Sequence, residues 1–590
     1  MEAKWVVYGK KADFNGIATK FNIDPVIARI IRNRDVILEE DIRDYLYGTL
    51  DMACDGSIMR DMDKGTEIIA DSIRKGEKIL IVSDYDVDGV MSNYILLDGL
   101  KKLSADVIYR IPDRVEDGYG INEKIIREGY EKGVKTIITG DNGIAAFPAI
   151  ELAKELSMRV VVTDHHQVPY ETDEAGNRQF KLVPADAVID IAREDCEYPN
   201  KSLCGAGVAY KFIKCLYNVL GVPWKDELAY MEMLALATLC DVMDLQGENR
   251  VFVKEGLKCM SHTKNIGLKA LIKANALEGK PLSSYHLGFV LGPCINATGR
   301  LEKADLSLEL LMAEDEKKAV DMAEELLALN VSRKNMTEEG VKEAISYVES
   351  CENRDTVLVI YMPKLHESIA GIVAGRVKEH FYQPVLVLTD SEEGMVKGSG
   401  RSIEGYHMFD ELTKVKDILV KYGGHELAAG FSLRKKELEE FRKRLNENHS
   451  LTEDELTPVV RLDVAMPVDY ISVELVNQLK LLEPFGKGNQ KPVFGQSNLG
   501  IKRATFIGKN NQFIRIVFQD SEGFIIEGVD FDANRFINCI KVWFSEEECD
   551  KMLKGMPNSI RIDVAYYPSI NDYGGRHRIQ IQPVMYRKSQ

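Results

Sequence analysis

The run from Lys78 to Gly89, Lys-Ile-Leu-Ile-Val-Ser-Asp-Tyr-Asp-Val-Asp-Gly, constrains this chain more than any other, because an apolar strand stops abruptly in three carboxylates at alternate positions. Carboxylates this close repel one another in a low dielectric, and divalent cations placed among them keep them ionised. If the loop stays extended, a spacing of two puts Asp84, Asp86 and Asp88 on one side, and Gly89 lets the backbone turn away beneath an ion. The bland alternative is a solvated turn after a strand. A calcium loop of the Asp-x-Asp-x-Asp-Gly type fits poorly, since it lies between helices and needs a later Glu, whereas a strand leads in here.

Two more apolar runs end in the same chemistry. Thr136 to Thr139 leads into Gly140, Asp141, Asn142 and Gly143, and Arg159 to Thr163 leads into Asp164, His165 and His166. Between them, Ala145 to Leu156 spaces its apolar residues at helical intervals, so strand, helix and strand predict a parallel α/β sheet. Ligands of such sheets collect beyond the carboxyl ends of the strands, which would turn the three acidic ends into one crevice. Met231 to Asp241, a mostly apolar helix-like run, brings Asp241 as a further acid. Carboxylates with one or two imidazoles and no thiolate suit manganese or magnesium better than zinc. Two such ions, about 3.5 to 4 Å apart, would activate a water and clamp the oxygens of an in-line phosphoryl displacement, so phosphoester hydrolysis is the chemistry implied. The chain has no Gly-x-Ser-x-Gly elbow and no Gly-rich loop ending in Lys-Ser or Lys-Thr.

Asp164-His165-His166, with Asp84 to Gly89, resembles the DHH phosphoesterase superfamily, and the rest of the chain resembles its RecJ branch, the single-stranded-DNA-specific 5′-to-3′ exonucleases. The supporting stretches keep their order along the chain: Pro112-Asp113-Arg114 with Gly118-Tyr119-Gly120, Leu203 to Gly207, Gly247 to Arg250, Gly292 to Arg300, His366-Glu367, Gly371 to Ala374, Gly398 to Ser402, Gly423-Gly424-His425 with Ala428 to Phe431, and Glu483 to Gly486. The resemblance implies metal ligands at Asp86, Asp88, Asp141, His165 and Asp241, with Asp84 close by, and two ions of Mn2+ or Mg2+. It places His166 against the scissile phosphate or its water, Arg300 with Asn296 on the substrate, Arg114, Ser399 and Arg401 in a pocket for a terminal 5′-phosphate, and His425 on the substrate side of the cleft. Relatives commonly carry a His where this chain has Val82, so the first metal's shell is expected to be weakened or altered in preference. Asp190-Ile191, where the family often has Asn-Pro, is expected to affect only a loop.

At 590 residues the chain is too long for one core. The expected organisation is an N-terminal extension over 1–75 packed on the first sheet, a parallel-sheet DHH catalytic domain over 76–312, a connecting helix over 313–350, a second α/β DHH-associated domain over 351–457, and a C-terminal OB-type β-barrel over 458–590. The barrel is read from short strands around Phe494, Ile501–Ile507, Phe513–Phe518, Gly523–Val529 and Ile560–Tyr566, separated by Gly, Asn and Asp turns. Phe513 near Arg515, and Arg576-His577-Arg578, are its candidate single-strand contacts, although most of its aromatics are expected in the core.

A net charge of −17 argues superficially against nucleic acid, but residues 458–590 carry 17 Lys and Arg against 15 Asp and Glu, so the acidity lies elsewhere and part of it is the metal-binding set. Ten scattered cysteines without a Cys-x-x-Cys pair read as reduced thiols of a cytoplasmic protein, and no membrane span or signal-peptide pattern is expected. Single-stranded DNA is the expected partner, with a single-strand binding protein or a helicase suggested by analogy, and the chain is expected to be monomeric. Two other readings stay open: a phosphodiesterase for short oligoribonucleotides or cyclic dinucleotides, and a non-catalytic DNA-binding scaffold. Neither polarity nor RNA against DNA is readable from the residues themselves.

Overall fold

The computed structural model describes residues 3–114, 117–118, 120–172, 177–301, 305–352, 354–391, 394–571 and 577–589; Tyr119 and Arg576, singled out above, lie outside them. The chain divides into two compact units, one of residues 48–450 with 486–488, the other of residues 1–47, 451–485 and 489–590.

In the larger unit, five parallel strands form the first sheet: β1 (Ile79–Ser83), β2 (Val107–Arg110), β3 (Thr136–Gly140), β4 (Arg159–Asp164) and β5 (Ala187–Asp190), in the order β2-β1-β3-β4-β5. The strand sequences are continuously apolar because both faces are covered. Ile79, Ile81, Ile138, Val161 and Ile189 face a core shared with helices α1 (Met62–Lys75), α2 (Val87–Lys102) and α5 (Gly205–Val219). Leu80, Val82, Ile137, Val160 and Val162 face the opposite core, with α3 (Glu123–Glu131) and α4 (Phe147–Glu155). Helix α6 (Met231–Cys240) packs on α2, and α7 (Gly292–Leu301) precedes one unbroken 35-residue helix, α8 (Glu316–Ser350).

Helix α8 leads into a second sheet of strands β6 (Leu358–Tyr361), β7 (Val385–Asp390), β8 (Met395–Arg401), β9 (Leu419–Gly424) and β10 (Ala428–Arg434), ordered β9-β10-β8-β7-β6. Helix α9 (Glu367–Phe381) connects the parallel pair β6 and β7, and the other pairings are antiparallel.

The smaller unit holds the closed barrel: β11 (Phe494–Ile507), β12 (Phe513–Gln519), β13 (Ile525–Asp530), β14 (Arg561–Asn571) and β15 (Arg578–Lys588) pair in the order β11-β12-β13-β15-β14, and β14 returns to β11. Phe494, Phe518, Phe536 and Tyr566 are fully buried, whereas Phe513 and Arg515 lie on the outer side of β12 with Phe531 packed edge-on against Phe513 at 5.5 Å. The N-terminal segment departs from expectation. Only residues from Gly48 to Lys75 belong with the first sheet; strand Lys4–Val7 pairs with Val459–Leu462, and Ile27, Ile30, Ile31 and Leu46 join the barrel's core. Helical periodicity cannot say which core an amphipathic helix covers, because the partner face is remote in sequence.

A buried ion pair ties together helix α5 and the segments that pack on it in the larger unit. Lys211 of α5 meets Glu248 at 3.0 Å, and Glu248 also accepts from Tyr198 Oη at 2.7 Å and from the Cys54 amide at 3.2 Å. Both side chains are nearly inaccessible, so removing one partner strands a charge. Lys211→Met should cost about 3–5 kcal/mol in urea unfolding, and a loss under about 1 kcal/mol would show that the pair does not hold this region together.

Candidate metal centre

The turn between β1 and α2 is only three residues long, Asp84, Tyr85 and Asp86. Asp86 caps α2, its Oδ1 accepting the Gly89 amide at 3.0 Å, and Asp84 Oδ1 accepts the Tyr85 amide at 2.8 Å. The helix approaches so closely that a Cβ on Gly89 would lie 2.3 Å from the Asp84 carbonyl oxygen. Because helix begins at Val87, the loop does not stay extended as expected, and Asp88 turns away into a different group of ligands from Asp84 and Asp86.

Asp141 follows β3 in the left-handed region, φ 63°, an uncommon conformation for a residue with a side chain. It joins both groups. Ligand atoms of Asp84, Asp86 and Asp141 lie within 4.8 Å of one another, as do those of Asp88, His165 and Asp241. His165 Nε2 stands 3.0 Å from Asp141 Oδ1, 3.5 Å from Asp241 Oδ2 and 3.6 Å from Asp88 Oδ2. The first turn of α5 holds Asp88, with the amides of Gly205 and Ala206 donating to its two oxygens at 2.7 and 2.8 Å. A Cβ on Gly205 would sit 2.7 Å from Asp141 Oδ1, so only glycine lets the helix reach this point. His166 Nδ1 pairs with Asp164 Oδ1 at 2.7 Å, and its ring remains 41% exposed.

The electrostatics are those of a site short of positive charge. Burial, then the charges of Asp88, Asp86, Asp84 and Asp241, push the Asp141 carboxyl well above its usual range. Burial and Asp86 do the same to Asp84, and burial with Asp88 and Asp86 takes Asp241 to about 8. Burial holds His165 in its neutral, ligating form. Burial also opposes a charge on His166, but the bond to Asp164 and the surrounding carboxylates outweigh it and push the imidazolium up to about 9. Asp141 Oδ1 and His165 Nε2 are buried and make no hydrogen bond. Two buried donor atoms 3.0 Å apart without a hydrogen-bond partner, among hard oxygen donors, are what a divalent cation would satisfy.

Opposite the acids stands a cluster of guanidinium groups. Arg300, at the end of α7, donates to the Ser368 carbonyl of α9 and so bridges the two α/β domains. Burial, then Arg114 and Arg333, hold its pKa down to about 10, with Arg401 adding to the effect. Arg114 lies over the Tyr85 ring at 5.1 Å, directly beside the acidic turn. Ser399 and Arg401 occupy alternate positions of β8 on the side of α9, where a Cβ on Gly371 would meet Arg401 Nη2 at 2.7 Å and Ser399 Cβ at 3.5 Å.

Known families match the chain along most of its length. The family model described as the DHH family N-terminal domain matches residues 78–238, the DHHA1 domain matches 354–450, and the RecJ OB domain matches 462–584. The single-stranded-DNA-specific exonuclease RecJ of Bacillus subtilis (strain 168) is 34% identical over 98% of this chain and 70% of its own length. That of Salmonella typhimurium is 30% identical over 95% of each. This chain belongs to the RecJ family. The crystal structure of RecJ in complex with Mn2+ from Thermus thermophilus superimposes with a TM-score of 0.81 at 25% identity, covering 100% of this chain and 80% of that one.

Against the RecJ pattern, the structure gathers Asp84, Asp86, Asp88, Asp141, His165, His166 and Asp241 at one edge of the sheet, and Arg114, Arg300 and Arg401 at one cluster. Asn296 Oδ1 accepts the Val87 amide at 3.1 Å and so fastens the acidic turn. His425 is exposed in the turn between β9 and β10, and among the described residues no hydrogen bond or ion pair joins it to the acids. Val82 is fully buried in the apolar core, and its carbonyl accepts from Asn142 at 3.0 Å. Asp190 is not the loop residue expected: it ends β5 in register with Asp164, and burial, then Asp164, raise its carboxyl to about 8. Sequence reasoning gave Gly205 no role, although Leu203 to Gly207 marked the place; a glycine's function here is a close approach across strands, visible only in three dimensions.

Gly205→Ala should displace Asp141 and weaken manganese binding about 10–100-fold, read by electron paramagnetic resonance of free Mn2+, with the melting temperature confirming the fold. Unchanged affinity would show that the contact at Gly205 does not set the site.

Proposed function

We propose that this chain is a metal-dependent exonuclease that hydrolyses single-stranded DNA from its 5′ end and releases 5′-mononucleotides, in DNA repair or recombination. The observation that carries the reading is the meeting of the ligand groups through Asp141 and His165, beside half-buried guanidinium groups that have no carboxylate in ion-pair distance among the described residues. Two ions, Mn2+ or Mg2+, would be held by Asp84, Asp86 and Asp141, and by Asp88, His165 and Asp241, with Asp141 between them. The cations would supply charge neutralisation and a water acidic enough to attack phosphorus at neutral pH. With Val82 where the family resemblance implies a histidine, the first group offers three carboxylates, a harder set that favours these ions over zinc.

The protein's own groups do the rest. His166, held by Asp164 and kept charged, faces the reacting phosphate as a donor. Arg300 brackets its oxygens, which a planar guanidinium does better than an ammonium. Arg114, Ser399 and Arg401 take the terminal 5′-phosphate, which makes the enzyme begin at an end, and Asn296 keeps the acidic turn in place. His425 sits farther out on the strand's route. The barrel supplies a single-strand surface around Phe513, Arg515 and Phe531, where exposed rings can stack on bases. The domain boundaries read from residue 76 onward, a monomeric state, work in the cytoplasm and cooperation with a single-strand binding protein or a helicase belong to the same proposal. Among the described residues no helix is long and apolar enough to cross a membrane.

The test is a digestion time course on 5′- and 3′-labelled single and double strands, with manganese and magnesium compared. Mononucleotides should appear from the 5′ end of single strands, stop on chelation, and vanish with Asp141→Ala. Intact single strands after incubation of the wild type with manganese would refute the proposal, and preferential cleavage of dinucleotides in a mixed digest would favour the small-substrate alternative.

A further inference from the structure

Two aromatic rings stand out in solvent beside the metal centre. Tyr285 is 63% exposed and Phe289 67%, more than any other Phe, Tyr or Trp among the described residues. Their rings stack on each other, with centroids 5.4 Å apart and planes 22° from parallel. Large apolar side chains gathered at a surface in this way mark a contact site rather than a need of the core. Both lie on one continuous helical run, made of the turn Ser284–His286, a π-helical turn Leu287–Leu291 and α7. π turns inside helices are rare and frequent at functional sites. From Gly292 to Arg300 only Pro293, Asn296 and Arg300 are not buried. Tyr285, Phe289, Pro293, Asn296 and Arg300 follow one another at steps of four, four, three and four, so they line one face of the run.

The run is fastened to both ligand groups. Near its C-terminal end, Asn296 Oδ1 accepts the Val87 amide at 3.1 Å, and a Cβ on Gly299 would lie 2.6 Å from the Tyr85 carbonyl oxygen. Toward its start, the thiol of Cys240, the residue before Asp241, lies 3.8 Å from the Leu287 carbonyl, and a Cβ on Gly292 would lie 2.3 Å from the same sulfur. The exposed face therefore passes from the acidic turn to the Asp241 side of the centre, with Phe289 roughly 10 Å along the helix from Asn296. Arg300 sets the direction. It donates to the Ser368 carbonyl of α9, and one turn further along α9 the surface opened by Gly371 holds Ser399 and Arg401, the pocket assigned to the terminal phosphate. A strand with its 5′ end in that pocket crosses the acids and leaves toward Phe289. We propose that Tyr285 and Phe289 form a stacking platform for the first bases on the 3′ side of the scissile phosphate. The inference rests on the single-strand exonuclease reading and extends it from phosphates to bases. In a duplex the faces of each base are covered by its neighbours, so a platform of this kind takes unstacked, unpaired bases and tolerates any sequence.

The test is release of the 5′-labelled first nucleotide from 12-nucleotide strands in Mn2+, each strand carrying one abasic site at a different position. In the wild type an abasic site at one of the second to fifth positions should lower kcat/KM about five- to tenfold, as for one lost stacking contact, with little effect near the 3′ end. Phe289→Leu keeps apolar bulk and removes the ring. It should lower kcat/KM on the intact strand by a similar factor, through KM more than kcat, and flatten the abasic profile, and Phe289→Trp should restore both. If Phe289→Leu melts well below the wild type, Tyr285→Leu is read in the same way. A flat profile in the wild type, an undiminished kcat/KM in Phe289→Leu, or a Phe289→Leu profile that matches the wild type's would overturn the platform and give the rings to a protein partner instead. Failure of the wild type to degrade any single strand would overturn the parent reading.

Discussion

Everything in the catalytic unit depends on bringing several buried carboxylates to one place against their mutual repulsion. Asp84, Asp86, Asp88, Asp141 and Asp241 meet within three groups that share Asp141 and His165, and among the described residues no lysine or arginine pairs with Asp86 or Asp141. Like charges in a poorly solvated site are tolerated only when surrounding structure determines their position. Here the determinants are backbone. The strands β1, β3 and β4 are locked by apolar side chains on both faces, a tight turn links β1 to α2, and Asp141 is held in a left-handed conformation. The amides at the start of α5 supply partial positive charge to Asp88 where no side chain does.

The two ligand groups differ in kind. One is made of carboxylates alone, the other contains the neutral imidazole of His165. Val82 is an aliphatic side chain buried in the core, and Asp84 stands beside Asp86 and Asp141. His166 belongs to neither group as firmly: bonded to Asp164 and partly exposed, it is placed to meet what enters from solvent.

Arginines stand beside the acidic edge in addition to His166, which pairs with Asp164 within it. Arg300 spans the two α/β domains through the Ser368 carbonyl, and Arg401 lies in the surface of α9 that Gly371 opens. A net charge of −17 on the chain hides this separation, because the local field at a cleft is set by the groups that line it. Carboxylates that could hold cations beside a group of arginines suit a phosphodiester, whose non-bridging oxygens carry charge that grows in the transition state.

The sequence by itself determined the strands of the first sheet and the chemistry of their ends, because period, composition and turn residues are local properties. It marked Asp84, Asp86, Asp88, Asp141, His165, His166 and Asp241 correctly as acids and imidazoles that come together, since strand ends of a parallel sheet share one edge. Only the tertiary structure decided that Asp88 parts from Asp84 and Asp86, that residues 1–47 cover the barrel rather than the sheet, that Asp190 ends a strand beside Asp164, and that Gly205 positions others. Those outcomes turn on helix starts, partner faces and close approaches between segments far apart in the chain. Residue identity fixes which contacts are chemically possible, whereas packing of distant elements selects the ones that form.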